Sequence, residues 1–94
     1  MPYITQEQRK VLDPIIDQFP DLDDGELNYT VTRISHRFIQ VHKLRYATLA
    51  RVIGGLICVV FELYRRVASH YEDMKIRENG CISELDDDSH ERIR

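Results

Sequence analysis

The chain has no tryptophan, only two cysteines, three prolines and four glycines in 94 residues. So few turn formers argue against a turn-rich all-β fold. Cys58 and Cys81 provide neither a disulfide framework nor a zinc site. They suit a reducing cytoplasm, with Cys58 read as a small core residue. Long apolar runs are missing too. The block VIGGLICVVF, from Val52 to Phe61, is ten residues and is closed by Arg51 and Glu62. It is about half a membrane span, so a buried helix is expected rather than a membrane one. The N-terminal MPYITQEQRK lacks an apolar core, so no signal peptide is expected.

The most informative absence is of acid. Residues 27–61 hold no Asp or Glu and five bases: Arg33, Arg37, Lys43, Arg45 and Arg51. Residues 1–26 hold seven acids and two bases, a net of −5. Residues 62–94 hold nine acids and six bases, a net of −3. The whole-chain charge of −3 therefore hides a positive middle that would favour an anionic ligand. The competing expectation is that helix one or the tail neutralises it. The segment TVTRISHRFIQVHKLR is basic, but the chain is acidic and lacks a helix-turn-helix glycine, so nucleic acid is not an expected partner.

What is present is helical periodicity. TQEQ at Thr5–Gln8 is a capping box, followed by Val11, Leu12, Ile15, Ile16 and Phe19 at helical spacing. Pro14 predicts a kink or a split near Asp13, and Pro20 an end. Asp23 with Glu26 is a second capping box. It opens a helix whose Leu27, Val31, Ile34, Phe38 and Val41 form one apolar seam. No Gly or Pro marks HKLR, so helices two and three could turn there or run on. Helix three is expected from about Leu44 to Glu78, stopped by Asn79-Gly80. It carries two adjacent seams, Leu49–Ile53–Leu56–Val60–Leu63–Val67–His70–Met74 and Ala50–Gly54–Ile57–Phe61–Tyr64–Ala68–Tyr71. One neighbour needs less apolar surface than that.

The expected fold is a small all-α helical bundle: a kinked N-terminal helix, a middle helix and a long third helix, forming one domain over residues 1–80. An acidic, flexible tail follows over residues 81–94. A chain this short has a marginal core, so a homo-oligomer is expected. Its interface would be the second seam, at Gly54, Ile57, Phe61, Tyr64 and Ala68.

The block FELYRRVASHYEDMKIRENG mixes aromatics with cations. Arg65, Arg66 and Lys75 suit phosphate, and Tyr64 and Tyr71 suit stacking or hydrogen bonding. Arg33 and Arg37 of helix two would add positive field. The plain alternative is a wet helix face laced with ion pairs: Glu62 with Arg65 and Arg66, Glu72 with Lys75, Asp73 with Arg77. No Gly-rich phosphate loop accompanies the block. His36, His42, His70 and His90 have no ligand spacing, and His70 reads as a hydrogen-bonded core histidine. No metal, cofactor or catalytic group is expected. Glu62, Glu72, Asp73 and Glu78 raise a remote alternative, a Mg²⁺-dependent all-α nucleotide pyrophosphohydrolase. The chain has no E-x-x-E, and a base answers nearly every acid.

GELNYTVTRI (Gly25 to Ile34) and FELYRRVASHYEDMKIRENG (Phe61 to Gly80), with YITQEQRKVLDPIID (Tyr3 to Asp17), resemble a family of short uncharacterised proteins encoded by phages and bacteria. The resemblance spans most of residues 3–82. It implies an all-α fold, a phage or prophage origin and a place in the host cytoplasm. It carries no established activity, so no functional residues transfer. In size and expected oligomeric build the chain is also similar to small helical oligomers that sequester nucleotide immune signals of the host. The functional expectation is therefore non-enzymatic capture of a small anionic, nucleotide-like ligand. The competing class is a protein–protein interaction module that binds a host or phage protein through the apolar face of helix three.

Overall fold

The structure, a computed structural model, describes residues 2–87. Most of the predicted flexible tail, residues 88–94, lies outside the described residues. Every regular element among the described residues is helical. The chain divides into two units, Met1–Val59 and Val60–Arg94.

In the first unit, α1 spans Gln6–Asp17 and α2 spans Asp24–His42. Both start where their sequences say they should. The Thr5 hydroxyl accepts from the Gln8 amide at 3.2 Å, and the Thr5 amide donates to Gln8 Oε1 at 2.9 Å. At the second box the Glu26 amide donates to Asp23 Oδ1 at 2.8 Å, and the Asp23 amide to Glu26 Oε1 at 3.0 Å. Each box satisfies two amides that a helix start leaves open. Of the kink or split expected at Pro14, the split does not occur: α1 runs through it. Only one ladder bond is lost to the missing Pro14 N–H, and the turns on both sides hold.

Helices two and three are not continuous. α2 ends at Lys43, whose φ of 75° and ψ of 146° turn the chain. That region is sparsely occupied by residues with a Cβ. α3 then spans Tyr46–Leu63. Thr48 packs into the corner, only 2% exposed, with its hydroxyl 3.4 Å from the His42 carbonyl oxygen it donates to. Phe38 and His42 bring their rings to 4.2 Å, and the Arg51 guanidinium lies 5.2 Å from the Phe38 ring centroid. The corner is held by aromatic and cation–π contact.

The second unit holds the end of the long helix. A π turn, Tyr64–Ala68, precedes α4, Ser69–Asn79. The Ser69 amide donates to the Tyr64 carbonyl, five residues back, which defines the wide turn. Helical structure is unbroken from Tyr46 to Asn79, 34 residues. Gly80 ends it with φ 87° and donates its amide to the Ile76 carbonyl at 2.7 Å, the stop that Asn79-Gly80 announces. Beyond it, Glu84–Asp86 forms a short 3₁₀ turn. It is capped by Ser83 and closed by bonds from the Ile82 and Ser83 amides to the Asp86 carboxylate.

No hydrophobic side chain is buried among the described residues, and Thr48 alone is buried. α1 packs against neither α2 nor α3. Cys58 and His70, both expected in the core, are exposed. The physical reason is common to both: among the described residues, no element covers those faces of the long helix.

Candidate functional site

The predicted ligand residues fall into two groups. Arg33 and Arg37 stand one turn apart on α2, in the first unit. Tyr64, Arg65, Arg66, Tyr71 and Lys75 lie in the second. The π turn positions the latter, since Tyr64, Arg65 and Arg66 are three of its five residues. Wide turns of this kind are frequent at functional sites. The 3- and 4-residue spacing of the seams gave no sign of it.

Most of the second group is engaged within the chain. The Tyr64 hydroxyl donates to Glu72 Oε2 at 2.9 Å. That bond, and then the negative charge of Glu72, hold the phenol above its usual pKa. Arg65 lies 3.8 Å from Glu62, as the spacing predicts. Lys75 pairs with Glu78 at 3.2 Å rather than with Glu72. Its ammonium also sits 5.6 Å from the centroid of the Tyr71 ring. Glu72 was expected to serve Lys75, but Tyr64 takes it. The pair of Asp73 with Arg77 is not formed.

A concavity of about 390 Å³ at the end of α4 is lined by Lys75 together with Glu72, Ile76, Gly80 and Asp86. Two carboxylates against one ammonium give it the wrong sign for an anion. Among the described residues, no ion pair is formed by Arg66, Arg33 or Arg37. Arg33 and Arg37, with Ile34 and Gln40, line a concavity of about 230 Å³ on α2. It lies in the acid-free segment, so its sign suits an anion.

A second concavity, of about 240 Å³, adjoins it at Ile34 and lies between α2 and α3. Its walls are Ile34, Phe38, Val52 and Leu56, with Arg51 at the edge and Gly55 between. Reading the seams of α2 and α3 separately did not find this groove. The pairing of Phe38 with Arg51 depends on the corner at Lys43, which no residue type announces.

Four of the five predicted interface residues, Gly54, Ile57, Phe61 and Tyr64, are exposed. Nothing lies within 4 Å of a Cβ built on Gly54. Ile57 and Tyr64 are about half exposed, Phe61 is 68% exposed, and Ala68 is half-buried. The helix Tyr46–Asn79 is long and apolar enough to cross a membrane by length and composition, so the ten-residue block understated its apolar reach. Only 6% of its apolar window is buried, so the buried helix expected from VIGGLICVVF is not observed: no other described element covers it. No group of three or more His, Cys, Asp or Glu among the described residues is placed to hold a metal ion.

A family model described as a domain of unknown function, DUF6899, matches residues 1–82. The chain belongs to the DUF6899 family. The match covers both capping boxes, the corner at Lys43, the groove, the π turn and the Gly80 stop, and so the whole set of candidate residues. No curated protein and no solved structure matches the chain. The DUF6899 match carries no activity, and function rests on the physical features above.

Proposed function

We propose that this DUF6899 protein is a non-enzymatic binding protein that acts as a homo-oligomer and captures a small anionic, nucleotide-like ligand, such as a host immune signal. The observation that carries the reading is the absence of any buried hydrophobic side chain among the described residues. Ordering a residue costs about 1–2 kcal/mol of backbone entropy. Burying a Leu, Ile or Phe returns about 1.5–3 kcal/mol. Helices that bury so little are marginal in water, and further copies of the chain are the simplest source of the missing contacts. The phage or prophage setting, in the host cytoplasm, comes from the motif resemblance.

For the ligand, the best-supported cations are Arg33 and Arg37, which face a concavity without an acid, and Arg66. Guanidinium groups one turn apart can bind a phosphate through paired hydrogen bonds. Arg65 and Lys75 already have carboxylate partners, and Tyr64 already donates to one.

The test is native mass spectrometry of the full chain, purified from bacteria expressing a nucleotide-signalling defence system. An oligomer that retains a few hundred extra daltons per site supports the reading. Thermal shift with a nucleotide panel should then give stabilisation that Arg33→Ala or Arg37→Ala abolishes and Arg65→Ala leaves largely intact. An apo-oligomer with no nucleotide shift would move the assignment to the second reading, a protein–protein module. The apolar groove between α2 and α3 favours that reading. No Mg²⁺-dependent nucleotide turnover is expected in either case.

A further inference from the structure

The cations of the acid-free segment stand beside an apolar groove, and the two features share a wall. Arg33 and Arg37 line the concavity of about 230 Å³ on α2. Ile34 lines that concavity and also the one of about 240 Å³ between α2 and α3. Each alone falls short of the usual size of a small-molecule site, about 300–1,000 Å³, and together they reach it. A ligand that fills both is charged at one end and apolar at the other.

The linings set the sign of the charged end. No acidic residue lines either concavity. Three guanidinium groups do, those of Arg33, Arg37 and Arg51, and none of them forms an ion pair among the described residues. The fitting charge is therefore an anion, and arginines one turn apart suit a phosphate.

The groove describes the other end. Arg51 is held 5.2 Å from the Phe38 ring centroid, which fixes a planar guanidinium at the edge of the groove. Nucleobases stack on such planes. Gly55 leaves the α3 wall without a side chain, so a flat ring can approach the backbone. Ser35 is the one hydroxyl in the lining, and it donates to the Val31 carbonyl at 2.8 Å. Recognition there would come from stacking more than from hydrogen bonds to the base edge. A flexible acyl chain would lose its torsional freedom in a cleft open to water. A base is already rigid.

We propose that each chain holds one nucleoside phosphate, with the phosphate on Arg33 and Arg37 and the base in the groove against Arg51 and Gly55. This rests on the ligand-capture reading and adds to it the seat of the base.

The experiment is calorimetric titration of the full-length protein with AMP, ribose 5-phosphate and octyl phosphate. The three share a phosphate and differ in what it carries. AMP should bind wild type about tenfold more tightly than ribose 5-phosphate, or better. Gly55→Leu fills the groove where a Cβ meets nothing within 4 Å. It should bring AMP down to the affinity of ribose 5-phosphate and leave the latter unchanged. Equal binding of AMP and ribose 5-phosphate to wild type would overturn the seat of the base, with anion capture left standing. So would AMP binding that Gly55→Leu does not weaken. Octyl phosphate binding more tightly than AMP would overturn the nucleobase in favour of an acyl chain. No binding of any of the three to helical protein would overturn both this proposal and the capture reading. If circular dichroism shows that Gly55→Leu disturbs folding, saturation-transfer NMR on the wild type decides. Irradiated protein methyls should reach the base protons of AMP more strongly than its ribose 5′ protons, and the reverse order would overturn the proposal.

Discussion

The Tyr64 hydroxyl reaches Glu72, eight residues along the same helix, at 2.9 Å. In a regular α-helix the residue seven places on lies nearly in line, and the eighth is rotated away by most of a quarter turn. The π turn over Tyr64–Ala68 takes in one extra residue. Glu72 therefore stands where the seventh residue would otherwise be, and the hydrogen bond and the wide turn support each other.

This contact is expected to appear in a spectroscopic titration. The Glu72 bond raises the Tyr64 pKa above the ordinary phenol value of 10.0. The protonated phenol is the form that donates. The stabilisation is therefore complete below the ordinary value and is lost as pH rises through the elevated one. Of five tyrosines, Tyr64 should ionise late in absorbance at alkaline pH. Tyr64→Phe should remove that late step, and Glu72→Gln should move it back towards the rest. A single unchanged transition in all three proteins would refute the assignment.

Lys43→Gly is expected to stabilise the chain by about 1 kcal/mol, since the φ of 75° costs a residue with a Cβ about 1–3 kcal/mol and glycine's extra unfolded-state entropy offsets part of the gain. Lys43→Pro, which requires φ near −65°, should destabilise the corner by more than that. Thermal unfolding at fixed protein concentration reads both.

Phe61→Asp and Ile57→Asp should each lower the oligomeric state, because both place a carboxylate on an apolar face that the chain leaves open. Helicity of the dissociated chain should fall with it. Sedimentation equilibrium across a concentration series checks this, and unchanged mass would show that this seam is not used.

Pro14→Ala should firm α1. It restores the ladder bond to Lys10 and removes a penalty of about 3 kcal/mol for an interior proline. Amide exchange within Gln6–Asp17 should slow, with little change in α2. Thr5→Ala should act in the opposite direction, by about 1 kcal/mol.

Features that rest on short-range chemistry were legible in the sequence. Both capping boxes and the Gly80 stop involve residues three or four apart whose side chains or backbone freedom dictate the geometry. The pair Glu62–Arg65 was legible for the same reason. Lys43 was not, because a lysine advertises no positive φ. The π turn was not, because a one-residue widening leaves the 3- and 4-residue spacing of the seams readable in either register. Once that turn was missed, Glu72 was assigned to Lys75 rather than to Tyr64. The positive middle segment was visible by composition. The groove it forms was hidden, since only the Lys43 corner brings Phe38 to Arg51.

Described residues that bury one side chain, a threonine at a corner, give the chain little to hold its fold by itself. On the homo-oligomer proposal, its folding is a reaction of second or higher order in chain concentration. At low expression most chains would stay loose and open to proteases. Above a threshold of abundance, folded protein would accumulate abruptly. The synthesis rate of the polypeptide would thus act as a switch on how much working protein a cell contains.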